Sequence, residues 1–215
     1  MKTKIIILFS SLLFLLQGCL VISIHPFYTE NDVIYKPELT GKWMDHDSAA
    51  WIIAQHLQFS GLFKPDKLVN AYEIKIIDNK GTSIFIAHLF HLGKEMYLDF
   101  YPKNNEEGSD LEHYHFVPSH SLARVEFKNG KIIIAWYNQE WLLGLFNHNK
   151  IRMAHERTPY DIDDKDPDHE EVVLTASTAE LQKFILKYGN DPNAFQKETG
   201  SDISQRDYTL VLSRQ

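Results

Sequence analysis

The sequence predicts a mainly β protein with two or more helices late in the chain, whose strands form an antiparallel meander that closes into a barrel or a strongly curved sheet. Three observations predict this class. Much of the chain after residue 38 consists of short apolar runs or alternates apolar and polar residues with a period of two. Several of these runs are joined by short segments with hairpin-turn chemistry, as in a meander. The thirteen Phe and ten Tyr residues supply the bulky side chains that strands favour.

The strands are predicted from the period-two pattern. Nine segments carry it: Leu39–Met44, Trp51–Leu57, Ala71–Asp78, Ser83–His91, Glu95–Tyr101, His113–Val117, Leu122–Phe127, Lys131–Tyr137 and, as a closing strand, Tyr208–Leu212.

Three tight turns are predicted between neighbouring strands. Asp78–Gly81 and Lys128–Lys131 contain Asn and Gly, which accept positive φ at low cost. His91–Lys94 contains Gly93 and is suited to closing a further hairpin.

Two helices are predicted near the end of the chain. Asn138 can cap the first, whose Trp141, Leu142, Leu145 and Phe146 form one apolar stripe. The second begins at a capping box, Ser177 with Glu180, continues with apolar residues at helical spacing, and stops at Gly189 and Asn190.

The amino terminus has the pattern of a secretory signal. Lys2 and Lys4 precede an apolar run from Ile5 to Leu16, and Leu16-Gln17-Gly18 leads directly into Cys19, the single cysteine of the chain. This arrangement resembles the lipobox of bacterial lipoproteins. The resemblance implies cleavage between Gly18 and Cys19 and attachment of acyl chains such as palmitate to Cys19. One chain binds a membrane marginally, so two or three are expected.

Two points of topology follow from this segment. The alternative to cleavage is that Ile5–Ile24 spans the bilayer uncut, since roughly 20 apolar residues suffice. In both cases the body lies outside the cytoplasm. Leu20 follows Cys19 where an inner-membrane lipoprotein carries Asp, so the resemblance implies an outer-membrane protein that faces the periplasm, if the organism is Gram-negative. We divide the chain into a signal peptide (1–18), a lipidated N-terminus and tether (19–38) and one β-rich domain (39–215).

The charge of the chain restricts its partners. Loss of Lys2 and Lys4 with the signal leaves 20 basic and 29 acidic residues and moves the formal net charge from −7 to −9. Such a body argues against nucleic acid and anionic lipid surfaces as partners, because both are negatively charged.

Enzyme and metal chemistry find little support in the sequence. A catalytic Gly-x-Ser-x-Gly elbow and a cysteine nucleophile are absent, and we expect no catalytic residues and no cofactor. Asp99 shares a strand face with Tyr97 and Tyr101 and is interpreted as a polar residue paired with a Tyr or Arg. The alternative is a metal site formed by three histidines, His113, His115 and His120. The protein would become an enzyme candidate if these histidines met Asp99 in one cleft.

The acidic stretch Asp161–Glu171 is interpreted as a solvated loop. Asp164, Asp166 and Asp168 match the start of a calcium-binding EF-hand loop, but His169 and Thr175 replace the Gly and Glu that such a loop needs. We expect no bound metal there.

Gly41-Lys42-Trp43 at the first strand resembles the Gly-x-Trp start of lipocalins. That resemblance implies an eight-stranded barrel that holds one small apolar molecule. Trp43, Trp51 and Trp136 are the candidate ligand-binding residues. The chain also resembles envelope lipoproteins with a His-Pro-x-Tyr-Thr segment and a Leu-Thr-Ala-x-Thr-x-Glu-Leu helix start, here His25–Thr29 and Leu174–Leu181, which carry no activity to transfer.

The leading hypothesis is therefore a lipid-anchored envelope module that binds an apolar small molecule or an envelope protein. The alternative is a structural or assembly protein that docks through an exposed aromatic face. A deep cavity ringed by the three tryptophans would favour the first, and an exposed apolar patch without such a cavity the second.

Overall fold

A computed structural model describes residues 20–61, 67–103, 117–159, 170–195 and 209–215. Within these residues the protein is mainly β, with an eight-stranded, closed, antiparallel barrel and two helices late in the chain. The predicted fold class is confirmed.

The barrel is an uninterrupted meander until its last strand. Each strand pairs with the next along the chain, and the eighth returns after the helices to pair with both the seventh and the first. The strands are β2 (Gly41–Met44), β3 (Ala50–Gln58), β4 (Lys67–Ile77), β5 (Thr82–Leu92), β6 (Glu95–Pro102), β7 (His120–Lys128), β8 (Lys131–Trp136) and β11 (Thr209–Arg214).

The predicted turns close three of these hairpins. Between β4 and β5, the side chain of Asp78 accepts hydrogen bonds from the amides of Lys80 and Gly81. Asn129 and Gly130 both have positive φ between β7 and β8, as a type I′ turn requires. Gly93, with φ +66°, lies between β5 and β6. Local turn chemistry therefore determines the register of these pairs.

Three further strands extend the sheet beyond the barrel. β1 (Ile22–Ser23) pairs with the start of β7, β10 (Glu170–Leu174) pairs parallel to β1, and β9 (His155–Pro159) pairs with β10. The sequence did not predict these strands, because β1 is two residues long and β9 and β10 flank the acidic stretch. Glu170 and Glu171, expected in a loop, begin β10.

The alternation of side chains produces two cores on opposite faces of the barrel wall. Every barrel strand contributes to the inner core, which contains sixteen buried residues in the described part of the chain and is therefore the barrel interior. The outer core contains nineteen and lies between the wall, the two helices and the N-terminal segment (residues 20–39). Leu98 and Tyr97, neighbours on β6, belong to the inner and the outer core respectively.

The two predicted helices cover the outer face. In α1 (Gln139–Asn147), the side chain of Asn138 accepts a hydrogen bond from the Trp141 amide. In α2 (Thr178–Tyr188), Ser177 and Glu180 form the predicted capping box. None of the helices among the described residues has the length and apolar character needed to cross a membrane.

The N-terminal segment packs along the outer face from its first described residue, and its end joins the inner core through Ile34, Tyr35 and Leu39. Leu20 forms a β-bridge with Asn138, and Val21 is buried. The Ile34 amide donates to the Leu89 carbonyl, and a short 3₁₀ turn, Pro37–Leu39, precedes β2. Residue 20 is therefore already part of the folded body.

Candidate functional site

The three candidate tryptophans all belong to the inner core. Trp43 on β2 lies directly opposite Trp51 on β3, and both are buried. Trp136, at the end of β8, is half-buried, and its ring centroid lies 4.8 Å from that of Phe100. The strand register separates them, because Trp43 and Trp51 lie near the Lys131 end of β8 and Trp136 lies at its other end. The barrel therefore does not bring the three tryptophans into one shared site.

The polar atoms of the two buried tryptophans are bonded within the protein. The Trp43 indole donates to the Leu39 carbonyl at 3.0 Å, and the Trp51 indole donates to a carboxylate oxygen of Asp45 at 3.1 Å. The Arg214 guanidinium lies 5.3 Å from the centre of the Trp43 ring. The buried side chains around them are aromatic and aliphatic, with Tyr72 and Phe100 among those that are fully buried. An eight-stranded barrel is just wide enough to be filled in this way.

The strongest polar constellation lies on the outer face of β6. Asp99 is 0 % exposed; its Oδ1 lies 2.7 Å from Nδ1 of His120, and its Oδ2 accepts the Phe27 amide hydrogen at 2.8 Å. When Asp99 is ionised it only accepts, and Nδ1 of His120 is then the donor of this hydrogen bond. The interpretation of Asp99 as the partner of a Tyr or Arg was wrong, since histidine and a backbone amide take those places.

Two aromatic pairs surround this carboxylate. The Tyr28 ring stacks on His88 at 4.4 Å between centroids, and Tyr101 packs on His120 at 4.7 Å. Burial raises the pKa of Tyr28, and the negative charges of Asp99 and Glu30 add to that effect.

The pKa of His88, in contrast, is lowered. Burial lowers it and outweighs the opposing effect of Asp99 and Glu30, while the charges of His120 and His56 lower it further. His88 is therefore held neutral at physiological pH.

The sequence held a signal for part of this cluster. Counting back from the Gly93 turn places His88 directly opposite Asp99 in the β5–β6 pair. The pairing of Asp99 with His120 was not predictable in this way, because residues 104–116 separate the two strands. Phe27 was not predictable as a partner of Asp99 either. It lies in the distant N-terminal segment, and it bonds to the carboxylate through its backbone amide, which every residue type except proline has.

Chemically, Asp99 can orient the imidazole of His120, which is the role that the acid plays in a catalytic dyad. However, the His120 side chain is only 13 % exposed, and the N-terminal segment covers the carboxylate. Its visible function is to bind that segment to the barrel.

Helix α2 binds the same segment from the other side. The Thr178 hydroxyl donates to the Pro26 carbonyl at 2.7 Å, and Gln182 donates to the Phe27 carbonyl and to Asp32. Burial alone would raise the pKa of Asp32, but hydrogen bonds from Thr29 and Gln182 outweigh it and lower the pKa. Residues 26–32 are therefore clamped between α2 and the barrel.

Several candidate residues lie outside the described residues. These are Gly18, Cys19, His113, His115 and the acidic run Asp164, Asp166, Asp168 and His169. Among the described residues, no group of three His, Cys, Asp or Glu side chains is arranged to hold a metal ion.

An apolar surface that was not predicted lies at the end of the β3–β4 pair, and we call it the hairpin patch. Leu57 and Leu68 lie opposite each other and are 53 % and 56 % exposed, and nearby Phe59 is 69 % exposed. Water contact with three large apolar side chains in one place is unfavourable and is typical of a docking surface.

Comparison with models of protein families, with characterised proteins and with solved structures found no significant match to this chain. The closed barrel, its buried side chains and the surfaces around it are therefore the basis for inferring function.

Proposed function

We propose that this protein is a lipid-anchored lipoprotein of the bacterial cell envelope, acylated at Cys19, that serves as a non-catalytic binding module. The lipobox pattern of residues 16–19 is the observation that carries the anchor. Leu20 is already paired in the folded body, so an anchor on Cys19 would lie next to the described fold. In a Gram-negative organism, Leu20 favours the outer membrane and an orientation toward the periplasm.

The anchor is tested by intact-mass analysis of the protein purified from its own membranes. We expect a chain that begins at Cys19 and carries two or three acyl chains, and a Cys19→Ala variant that stays uncut and unacylated. A full-length chain without acyl groups, or normal processing of the variant, would refute the lipobox proposal.

We further propose that the module binds a partner protein through its outer surface. The hairpin patch supports this, because Leu57, Phe59 and Leu68 are large apolar side chains that are exposed to water. Covering such a patch removes apolar area from water, at roughly 25 cal/mol per Å².

The second candidate is carriage of a small apolar molecule, and one observation favours it. Trp136 is half-buried at the end of β8, where it packs against Phe100, and Phe100 packs in turn against half-buried Phe85 at 5.9 Å. These rings would form the entrance to a site in the barrel.

One cross-linking experiment separates the two candidates. A photo-reactive phenylalanine analogue is placed at Phe59 or at Trp136 in cells, and adducts are sized by mass. Our proposal expects an adduct of protein size at position 59 that is lost with Leu57→Ser and Leu68→Ser, with exposed Val117 as the matched control position. An adduct of a few hundred daltons at position 136, with none of protein size at 59, would establish ligand carriage instead.

A further inference from the structure

A basic cleft lies between α2 and the segment that joins α1 to β9. Its volume is about 300 Å³, and Phe184 and Tyr188 form its apolar side. Four of its nine lining residues are cationic and exposed, and one is a carboxylate, Glu180; the cations are Lys150, Arg152, Lys183 and Lys187. We refer to this as the α2 cleft.

The α2 cleft opposes the charge of the whole chain, which is −7. Within the part of the chain that the structure describes, none of its four cations forms an ion pair with a carboxylate. Four like charges around one cleft repel each other and concentrate positive potential there, so an anion is the occupant that they favour.

The α2 cleft lies a few contacts from the point where the chain would leave the membrane. Leu20 pairs with Asn138, whose side chain accepts the Trp141 amide hydrogen at 3.2 Å. The Trp141 ring in turn packs on Phe184 at 6.1 Å and on Tyr188 at 6.4 Å, and both of these line the cleft.

The packing of the N-terminal segment removes the slack between anchor and body. Neighbouring Cα atoms are about 3.8 Å apart, so acyl chains on Cys19 would insert one residue away from a β-bridge of the folded domain. A lipoprotein with a long linker could turn freely above the bilayer, but this one would hold the region of α1 and α2 next to it.

We propose that the α2 cleft docks on the anionic phospholipid head groups of the membrane that holds Cys19, an inference that rests on the proposed lipid anchor. Arg152 matches a phosphate with its planar fork of donors, and the lysines add mobile positive charges. Trp141 and Tyr188 are of the residue types that prefer the head-group region. The net charge of the chain argued against anionic lipid surfaces as partners. The fold nevertheless brings together cations that are about 30 residues apart in sequence, so one part of the surface is locally positive.

A second basic cleft provides an internal control. It has a volume of about 320 Å³ at the β7–β8 hairpin and is lined by Lys36, Lys128, Lys131 and Arg214, with Glu38 as its carboxylate. Lys131 begins β8, whereas Asn138 follows the other end of that strand. The control cleft is thus about one strand length away from Leu20.

The test compares lysine reactivity in one sample. The full-length protein from its own membranes is reconstituted in neutral phosphatidylcholine vesicles or in vesicles with added phosphatidylglycerol, and acetylation of each lysine is followed by mass spectrometry. We expect Lys150, Lys183 and Lys187 to react about fivefold more slowly in the anionic vesicles, the factor that corresponds to the attraction of one lysine to such a surface. High salt should restore their reactivity, and Lys36, Lys128 and Lys131 should not change.

Charge-reversal variants complete the design. Lys183→Glu with Lys187→Glu should abolish the protection of Lys150, whereas Lys128→Glu with Lys131→Glu should leave it intact. Equal reactivity of the α2-cleft lysines in both kinds of vesicle, or equal protection of both clefts, would overturn the proposal. The intact mass of the same sample shows separately whether Cys19 is acylated. An uncut chain would still be held in the vesicle by its apolar segment. The lysine reactivities therefore test whether the α2 cleft contacts the membrane in either case.

Discussion

The inner and outer cores of this protein are built by different physics. The inner core is a set of apolar side chains enclosed by eight hydrogen-bonded strands, and it needs mainly the right volume. The outer core packs two helices and the N-terminal segment on the wall. On the same face, Asp99 is fully buried and is bonded to His120 and to the Phe27 amide. Directional bonds therefore position the outer layer, whereas closure of the sheet positions the inner one.

This difference teaches where the protein can be altered without losing its barrel. Removing apolar volume from the interior weakens the whole domain, because all eight strands share that core. Removing a polar contact from the outer face releases the N-terminal segment first, because that segment is held by a few hydrogen bonds at Pro26, Phe27 and Asp32.

The largest effects are expected from two neighbours on opposite faces of β6. Asp99→Ala leaves His120 and the Phe27 amide without their acceptor, and each buried donor left unsatisfied costs about 1–3 kcal/mol. Leu98→Ala removes volume from the inner core at a cost of about 2–5 kcal/mol. Urea denaturation followed by tryptophan fluorescence measures both values.

Hydrogen exchange then distinguishes these two variants. Asp99→Ala should expose the Phe27 amide well before the barrel amides, whereas Leu98→Ala should raise exchange throughout the barrel. Slow exchange at Phe27 in Asp99→Ala would show that the outer layer is held by packing alone, and the comparison of the two cores would fail.

A smaller effect is expected at the start of α1. Asn138 caps the helix, donates to the Asn193 carbonyl and pairs with Leu20 through its backbone. Asn138→Ala should lower the free energy of unfolding by about 1 kcal/mol, the usual value of such a cap. Asn138→Ser, which keeps a capping oxygen, is the matched control and should recover most of the loss; equal values for both variants would exclude capping as the cause.

The smallest effect is a pH dependence at His88. Burial lowers the pKa of His88 below its value of 6.5 in the unfolded chain. Its contribution to stability is therefore fully present above pH 6.5 and is lost as the pH falls through the folded pKa, because the unfolded chain takes up the proton first.

The urea midpoint at about pH 7.5 and about pH 5 measures this contribution. His88→Phe keeps a ring against Tyr28 and should lose less stability between the two pH values than the native protein does. An equal loss in both would assign the pH dependence to groups other than His88.

The barrel was predictable because the residues that specify its strands and turns lie close together in the sequence. Asn129, Gly130 and Gly93 mark hairpins within a few residues of the strands that they join, and alternation identifies which side chains face inward. The helix ends were predictable for the same reason, since Asn138 and Ser177 bond to amides within three residues. The strands β1, β9 and β10 were missed because they are short and their partners are distant in sequence.

The sequence by itself determined the meander and the helix caps, because turn residues, alternation and caps act over a few residues. Only the tertiary structure decided what lies on the outer face of the barrel. Phe27 meets Asp99 across 72 positions, and Thr178 meets Pro26 across 152. The α2 cleft likewise unites Lys150 with Lys187. Such contacts depend on how the elements pack, and a pattern confined to one element carries no information about its neighbour in space.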